Sequence, residues 1–169
     1  MENIEIIVDF LNKIGINCQK TMLSDEPTFL SGIKIENGSL LYDVHQLKHA
    51  GDLLHEAGHL ALELPSNRCQ LNDNVDAGKS PKESLELGVV LWSYAALKFL
   101  NLPPEVVFHA EGYKGESTYL IETFENGQYI GLPLLQWMGL TADAQSISNQ
   151  SAQPFPTMIK WLREEPVEK

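Results

Sequence analysis

His55-Glu56-Ala57-Gly58-His59 is the stretch whose reading decides the fold. It lies inside an apolar run, Leu47 to Leu64, whose spacing predicts a helix. Residues i and i+4 of a helix share one face, about 40° apart around the axis. The two imidazoles therefore reach the same point in space, and Glu56 beside the first of them reaches the same solvent pocket. Leu53, Leu54, Leu60 and Leu62 flank the motif, and Ala57 and Gly58 within it are small. A solvated surface helix would not carry that pattern. Two neutral nitrogen donors, a carboxylate and an open position are the groups that zinc-assisted hydrolysis requires. His55 and His59 are thus expected to ligate Zn²⁺, with Glu56 as the base.

Working outward, Ile4, Ile7, Val8, Leu11 and Ile14 recur at helical spacing, and Gly15 closes that element. Ile16 to Leu23 reads as a strand. Asp25-Glu26-Pro27 is a turn. From Phe29 to Val44 apolar alternation surrounds Asn37-Gly38, the strongest short signal for a hairpin. The chain then enters the motif helix from what reads as a small antiparallel sheet. Downstream, Pro65 stops the helix and a polar loop follows. Ser80-Pro81-x-Glu83 has the form of a capping box. It opens a second helix running to about Leu100, apolar nearly all round and expected to be buried. The C-terminal third reads as shorter pieces. Glu105 to Phe108 is a helix or strand, Ser117 to Phe124 a helix closed by Gly127, and Leu132 to Leu140 an apolar element. Ser146 to Pro156 reads as a loop, and Thr157 to Glu164 as an amphipathic terminal helix. Trp92, Trp137 and Trp161 lie among apolar neighbours and are expected in the core.

A catalytic zinc takes a third protein ligand. Glu83, Glu86 and Asp76 all follow the motif. Glu83 is already explained as a cap. Glu86 stands among Leu85, Leu87, Val89 and Val90, where a carboxylate needs a partner. Glu86 is the preferred ligand, with Glu83 and Asp76 as alternatives. His109 and Tyr113, in a loop with two glycines, are candidates for a donor to a developing oxyanion. The alternatives are a plain loop histidine and a packing tyrosine. Asp52, one turn before His55, is a candidate to orient an imidazole, although an exposed helix carboxylate is the more common case. His45 and His49, also at i and i+4, more simply flank the helix start.

The motif followed by a helical glutamate resembles the gluzincin branch of zinc metallopeptidases, over about Phe29 to Leu100. Within it the chain is similar to the small, pro-segment-free bacterial enzymes. The resemblance implies a sheet before the motif helix, a glutamate brought by the next helix, and a sheet edge on which an extended peptide pairs. The chain departs from the repressor-cleaving type after Glu86, where Leu91-Trp92-Ser93-Tyr94-Ala95-Ala96 replaces the usual Asn-containing sequence. Substrate identity is therefore not carried over. Trp92-Ser93-Tyr94, Phe108-His109 and Gly112-Tyr113-Lys114-Gly115 look similar to an uncharacterised bacterial group.

The 169 residues suffice for one domain with a real core, and one zincin-like α+β domain spanning 1–169 is expected. Twelve basic residues against 23 acidic ones, a net charge of −11, argue against nucleic-acid backbones and anionic membranes as partners. Cys18 and Cys69 form no metal-binding or disulfide framework and are expected as free thiols. The acidic start and the lack of a long apolar run point to a cytoplasmic chain. The expected function is zinc-dependent hydrolysis of a peptide or protein substrate, with hydrolysis of a non-peptide amide as a variant. The rival is a structural or inactive zinc module acting in protein–protein interaction. Oligomeric state is not legible.

Overall fold

The computed structural model describes residues 2–24, 28, 30–73 and 85–166, and their architecture is α+β. Helix α1 (Glu2–Lys13) buries Ile7, Phe10 and Leu11 and ends at Gly15, whose φ of 99° suits glycine. Strand β1 (Cys18–Lys20) follows. Strands β2 (Ile33–Glu36) and β3 (Ser39–Tyr42) form the hairpin that Asn37-Gly38 predicts. Both turn residues have positive φ, 49° and 75°, as a twist-matched two-residue hairpin demands.

The sheet has the order β1-β3-β2. The pair β2–β3 is antiparallel, but β1 runs parallel to β3, with Cys18 opposite Leu40. The sheet is therefore mixed, not antiparallel throughout. β1 is also shorter than the strand read over Ile16 to Leu23. The Asn12 side chain takes the place of a further strand, accepting from Cys18 N–H and donating to its carbonyl, each at 3.0 Å. On the opposite edge, Ile35 N–H donates to the Asp73 carboxylate and Ile35 carbonyl accepts from Asp73 N–H. Ile33 N–H goes to Leu30 carbonyl. The β2 edge on which a peptide was expected to pair is thus engaged by the chain itself at these two residues.

Helix α2 (Asp52–Leu62) carries the motif and is shorter than the span Leu47 to Leu64. Gly51 at its start offers no side-chain cap. A cap contributes roughly 1 kcal/mol, whereas Leu53, Leu54, Leu60 and Leu62 are fully buried at about 2 kcal/mol each. Burial, not capping, holds this helix. Its other end is closed from outside. Arg68, on the single turn α3 (Pro65–Arg68), donates from Nε to Leu60 carbonyl at 2.6 Å and from Nη2 to Glu63 carbonyl at 2.9 Å. Arg163 N–H donates to Ala61 carbonyl.

Helix α4 (Glu86–Leu100) packs along α2, and Asn101, with φ 54°, terminates it. Gly58 permits the approach. A Cβ there would lie 2.9 Å from Val89 Cγ1 and 3.3 Å from the Val89 carbonyl oxygen. Ser93 Oγ sits between the helices, donating toward Val89 and Leu54 carbonyls. The expectation of burial all round fails at two places: Leu87 is 60% and Phe99 63% exposed. Both lie near helix ends; Phe99 is covered on one side only, by Phe10 at 5.6 Å and Trp161 at 5.3 Å. The proposed cap Ser80-Pro81-x-Glu83 lies outside the described residues.

After a 3-10 turn, Pro104–Val106, come α5 (Ser117–Glu125), α6 (Leu132–Trp137) and α7 (Ala144–Ser148). α7 falls where a loop was expected; the Asp143 carboxylate caps it by accepting from Ser146 N–H. Thr157 to Glu164 is not a helix. Its backbone is spent on neighbours: Met158 bridges Thr141, Ile159 and Lys160 N–H both reach Leu140 carbonyl, and Arg163 reaches α2. Trp161 meets Phe10 edge-on at 4.9 Å and Trp92 at 5.6 Å. Trp92 is fully buried, but Trp137 is 72% exposed, with the Arg163 guanidinium over its ring, and is not core. Cys18 and Cys69 are free thiols. Among the described residues, no helix is long and apolar enough to cross a membrane.

Candidate metal centre

The helical spacing of the motif does what its geometry requires. His55, Glu56 and His59 each bring one ligand atom to a common point, all within 4.8 Å of one another, and together they can hold a metal ion. The two imidazoles meet edge to face with centroids 5.2 Å apart. Glu56 and His59 are buried, because α2 turns this face inward.

Glu86 arrives from α4. Its Oε1 lies 3.6 Å from His55 Nε2 and its Oε2 lies 3.5 Å from His59 Nε2. The same Nε2 edge of both rings therefore faces one carboxylate. Glu86 differs from its expected setting in one respect. It is the first residue of α4, not an interior position, and its side chain is 45% exposed. The end of the helix stands over α2 and leaves one side of the carboxylate open to water. Asp76 and Glu83 lie outside the described residues.

Tyr113 stands on the far edge of the His55 ring, its hydroxyl 3.1 Å from Nδ1. Burial pushes its phenol well above the usual range, and the negative charges of Glu86, Asp52 and Glu56 push the same way. It stays a neutral hydroxyl at any ordinary pH. Asp52 does not turn to His55. Its Oδ1 lies 2.9 Å from His109 Nε2. His109 in turn stacks on His49, with centroids 3.6 Å apart and planes within 10°. His49 Nε2 lies 3.2 Å from Glu111, and that hydrogen bond holds the Glu111 carboxyl below the usual range. Sequence reading placed His49 merely beside the helix start and missed this arrangement. A histidine at i−6 from the first ligand carries no signal for a partner that lies far along the chain.

Compared with known proteins, the chain matches no family model, no curated protein and no solved structure. The functional reading therefore stands on the site alone.

Proposed function

We propose that the protein is a zinc-dependent hydrolase of peptide bonds, with His55, His59 and Glu86 as metal ligands and Glu56 as general base. The observation that carries this reading is the approach of both Glu86 oxygens to both Nε2 atoms at 3.5 and 3.6 Å. Those separations are longer than a hydrogen bond. They suit donors sharing one ion, since tetrahedral ligands about 2.0–2.1 Å from zinc stand roughly 3.3 Å apart. The donor set, two imidazoles and one carboxylate, is that of an open catalytic zinc site.

Bound zinc would supply Lewis acidity, lowering the pKa of a water toward neutrality and polarising a carbonyl. The chain's own residues do the rest. Glu56 accepts the proton of the attacking water and returns it to the leaving nitrogen. Tyr113 borders the site, whereas the His109 ring is turned to Asp52 and His49. The Tyr113 hydroxyl is turned to Nδ1 of His55, which favours a role in holding that ring over donation to an oxyanion. The substrate is a peptide or protein, and the acidic chain with its two thiols is read as cytoplasmic. A structural zinc module would have no use for a buried Glu56 beside the ligands, which favours the enzyme.

Elemental analysis of the purified protein, together with hydrolysis of a mixed peptide library, tests the proposal. The expected result is one zinc per chain and metal-dependent cleavage, with Glu56→Gln retaining zinc and losing cleavage. No zinc in the wild type, or full activity in Glu56→Gln, overturns it.

A further inference from the structure

An imidazole that ligates a metal through Nε2 carries its proton on Nδ1, and the group accepting that proton sets both tautomer and ring angle. That group is commonly a carboxylate, a backbone carbonyl or a water, and one carboxylate stands a turn away on the same helix. Here that carboxylate is Asp52, and it is spent on His109. The acceptor at His55 Nδ1 is the Tyr113 hydroxyl instead, with the two rings edge to face at 5.8 Å.

The segment that delivers Tyr113 is held in an unusual shape. Tyr113 and the following Lys114 both have left-handed backbone, φ 54° and 53°. Residues with a Cβ rarely sit there, at a cost of about 1–2 kcal/mol each. Two in succession persist only where the surroundings over-determine them. The surroundings are visible. The Tyr113 ring packs on Phe108 at 5.2 Å. Ser117 Oγ donates to His109 carbonyl at 2.6 Å. Gly112 lies so close under the His109 ring that a Cβ would meet Cε1 at 3.1 Å. His109 is pinned to α2 by Asp52, and Glu111 to the start of α2 by His49. The stacked His49 and His109 rings are not a second metal site. Their lone pairs lie in nearly parallel planes 3.6 Å apart and do not converge on one ion.

We infer that the segment from His109 to Gly115 is a clamp that aims His55 at the metal. Tyr113 is its positioning residue, and the Asp52–His109 and His49–Glu111 pairs are its anchors. The inference rests on the reading of His55 as a ligand through Nε2. It assigns metal affinity to residues that do not touch the metal, and to a tyrosine where a carboxylate, a backbone carbonyl or a water would be usual.

Zinc affinity of the full chain, measured by competition with a chromophoric chelator, gives the test. It is read beside ¹⁵N chemical shifts of the His55 ring and the melting temperature of metal-free protein. Tyr113→Phe keeps the ring and removes the hydroxyl. Its expected effect is a loss of about 10–100-fold in zinc affinity, an altered His55 tautomer balance, and an unchanged metal-free melting temperature. Asp52→Asn should weaken zinc binding in the wild-type background and add little in the Tyr113→Phe background, because both act through one hydroxyl. Tyr113→Phe binding zinc as tightly as wild type overturns the positioning role. Equal effects of Asp52→Asn in both backgrounds overturn the clamp. Failure of the wild type to bind zinc would instead sink the metal reading beneath it.

Discussion

Gly51 lies directly against Val106: a Cβ built on Gly51 would come 1.9 Å from the Val106 carbonyl oxygen and 2.6 Å from Val107 Cα. Its backbone is helical, φ −67° and ψ −21°, so the position needs glycine for space alone. This contact brings the segment carrying His109 and Tyr113 against the start of the motif helix. Gly51→Ala should force the two backbones apart and cost about 3 kcal/mol, seen as a lower urea midpoint. It should also weaken zinc binding, since Tyr113 would no longer reach His55. A variant as stable as wild type would show that the contact relaxes without cost.

Glu86→Ala should leave the fold intact, because the side chain is half exposed, and should lower zinc affinity. The loss should exceed the 10–100-fold typical of removing a group that only supports a ligand. Chelator competition measures it. Unchanged affinity would transfer the third ligand to another residue.

Arg68→Ala removes the guanidinium that caps Leu60 and Glu63 carbonyls and also donates to Arg163 carbonyl at 2.8 Å. Hydrogen bonds from a charged donor contribute about 1.5–3 kcal/mol each, and the freed carbonyls regain some water. A net loss of about 3 kcal/mol in denaturant unfolding is expected, with fraying of the turn that holds His59. A loss below about 1 kcal/mol would show that water replaces the cap.

Asp43 accepts backbone N–H bonds from His45 at 2.9 Å and Leu23 at 3.0 Å, and these hold its carboxyl below the usual range. A carboxyl depressed in the folded state stabilises the protein above its unfolded pKa, about 3.9, and loses that contribution as pH falls through the folded value. The stability gap between wild type and Asp43→Asn should therefore be constant above about pH 5 and shrink below about pH 4. A gap independent of pH would reject the linkage.

Local pattern determined much of this protein. The i, i+4 histidines, the Asn37-Gly38 hairpin, the Gly15 and Gly127 helix ends and the α+β class all follow from periodicity and turn chemistry over a few residues. Glu86 stands out in the sequence as a carboxylate amid leucine and valine, and the fold does bring it within 3.6 Å of both motif imidazoles. Its exposure was not legible, since that depends on where a helix ends over its neighbour.

Tertiary structure alone decided what lies far apart in sequence. The parallel β1–β3 pairing joins strands some twenty residues apart, Cys18 to Leu40, which no local pattern announces. The segment 157–164 has helical periodicity, yet its backbone hydrogen bonds go to Leu140 and Ala61, so tertiary pairing overrides propensity. The contacts of Tyr113 with His55 and of His109 with Asp52 and His49 belong to the same class. Short-range spacing is written in the order of residues, whereas the distance between Asp52 and His109 exists only once the chain has folded.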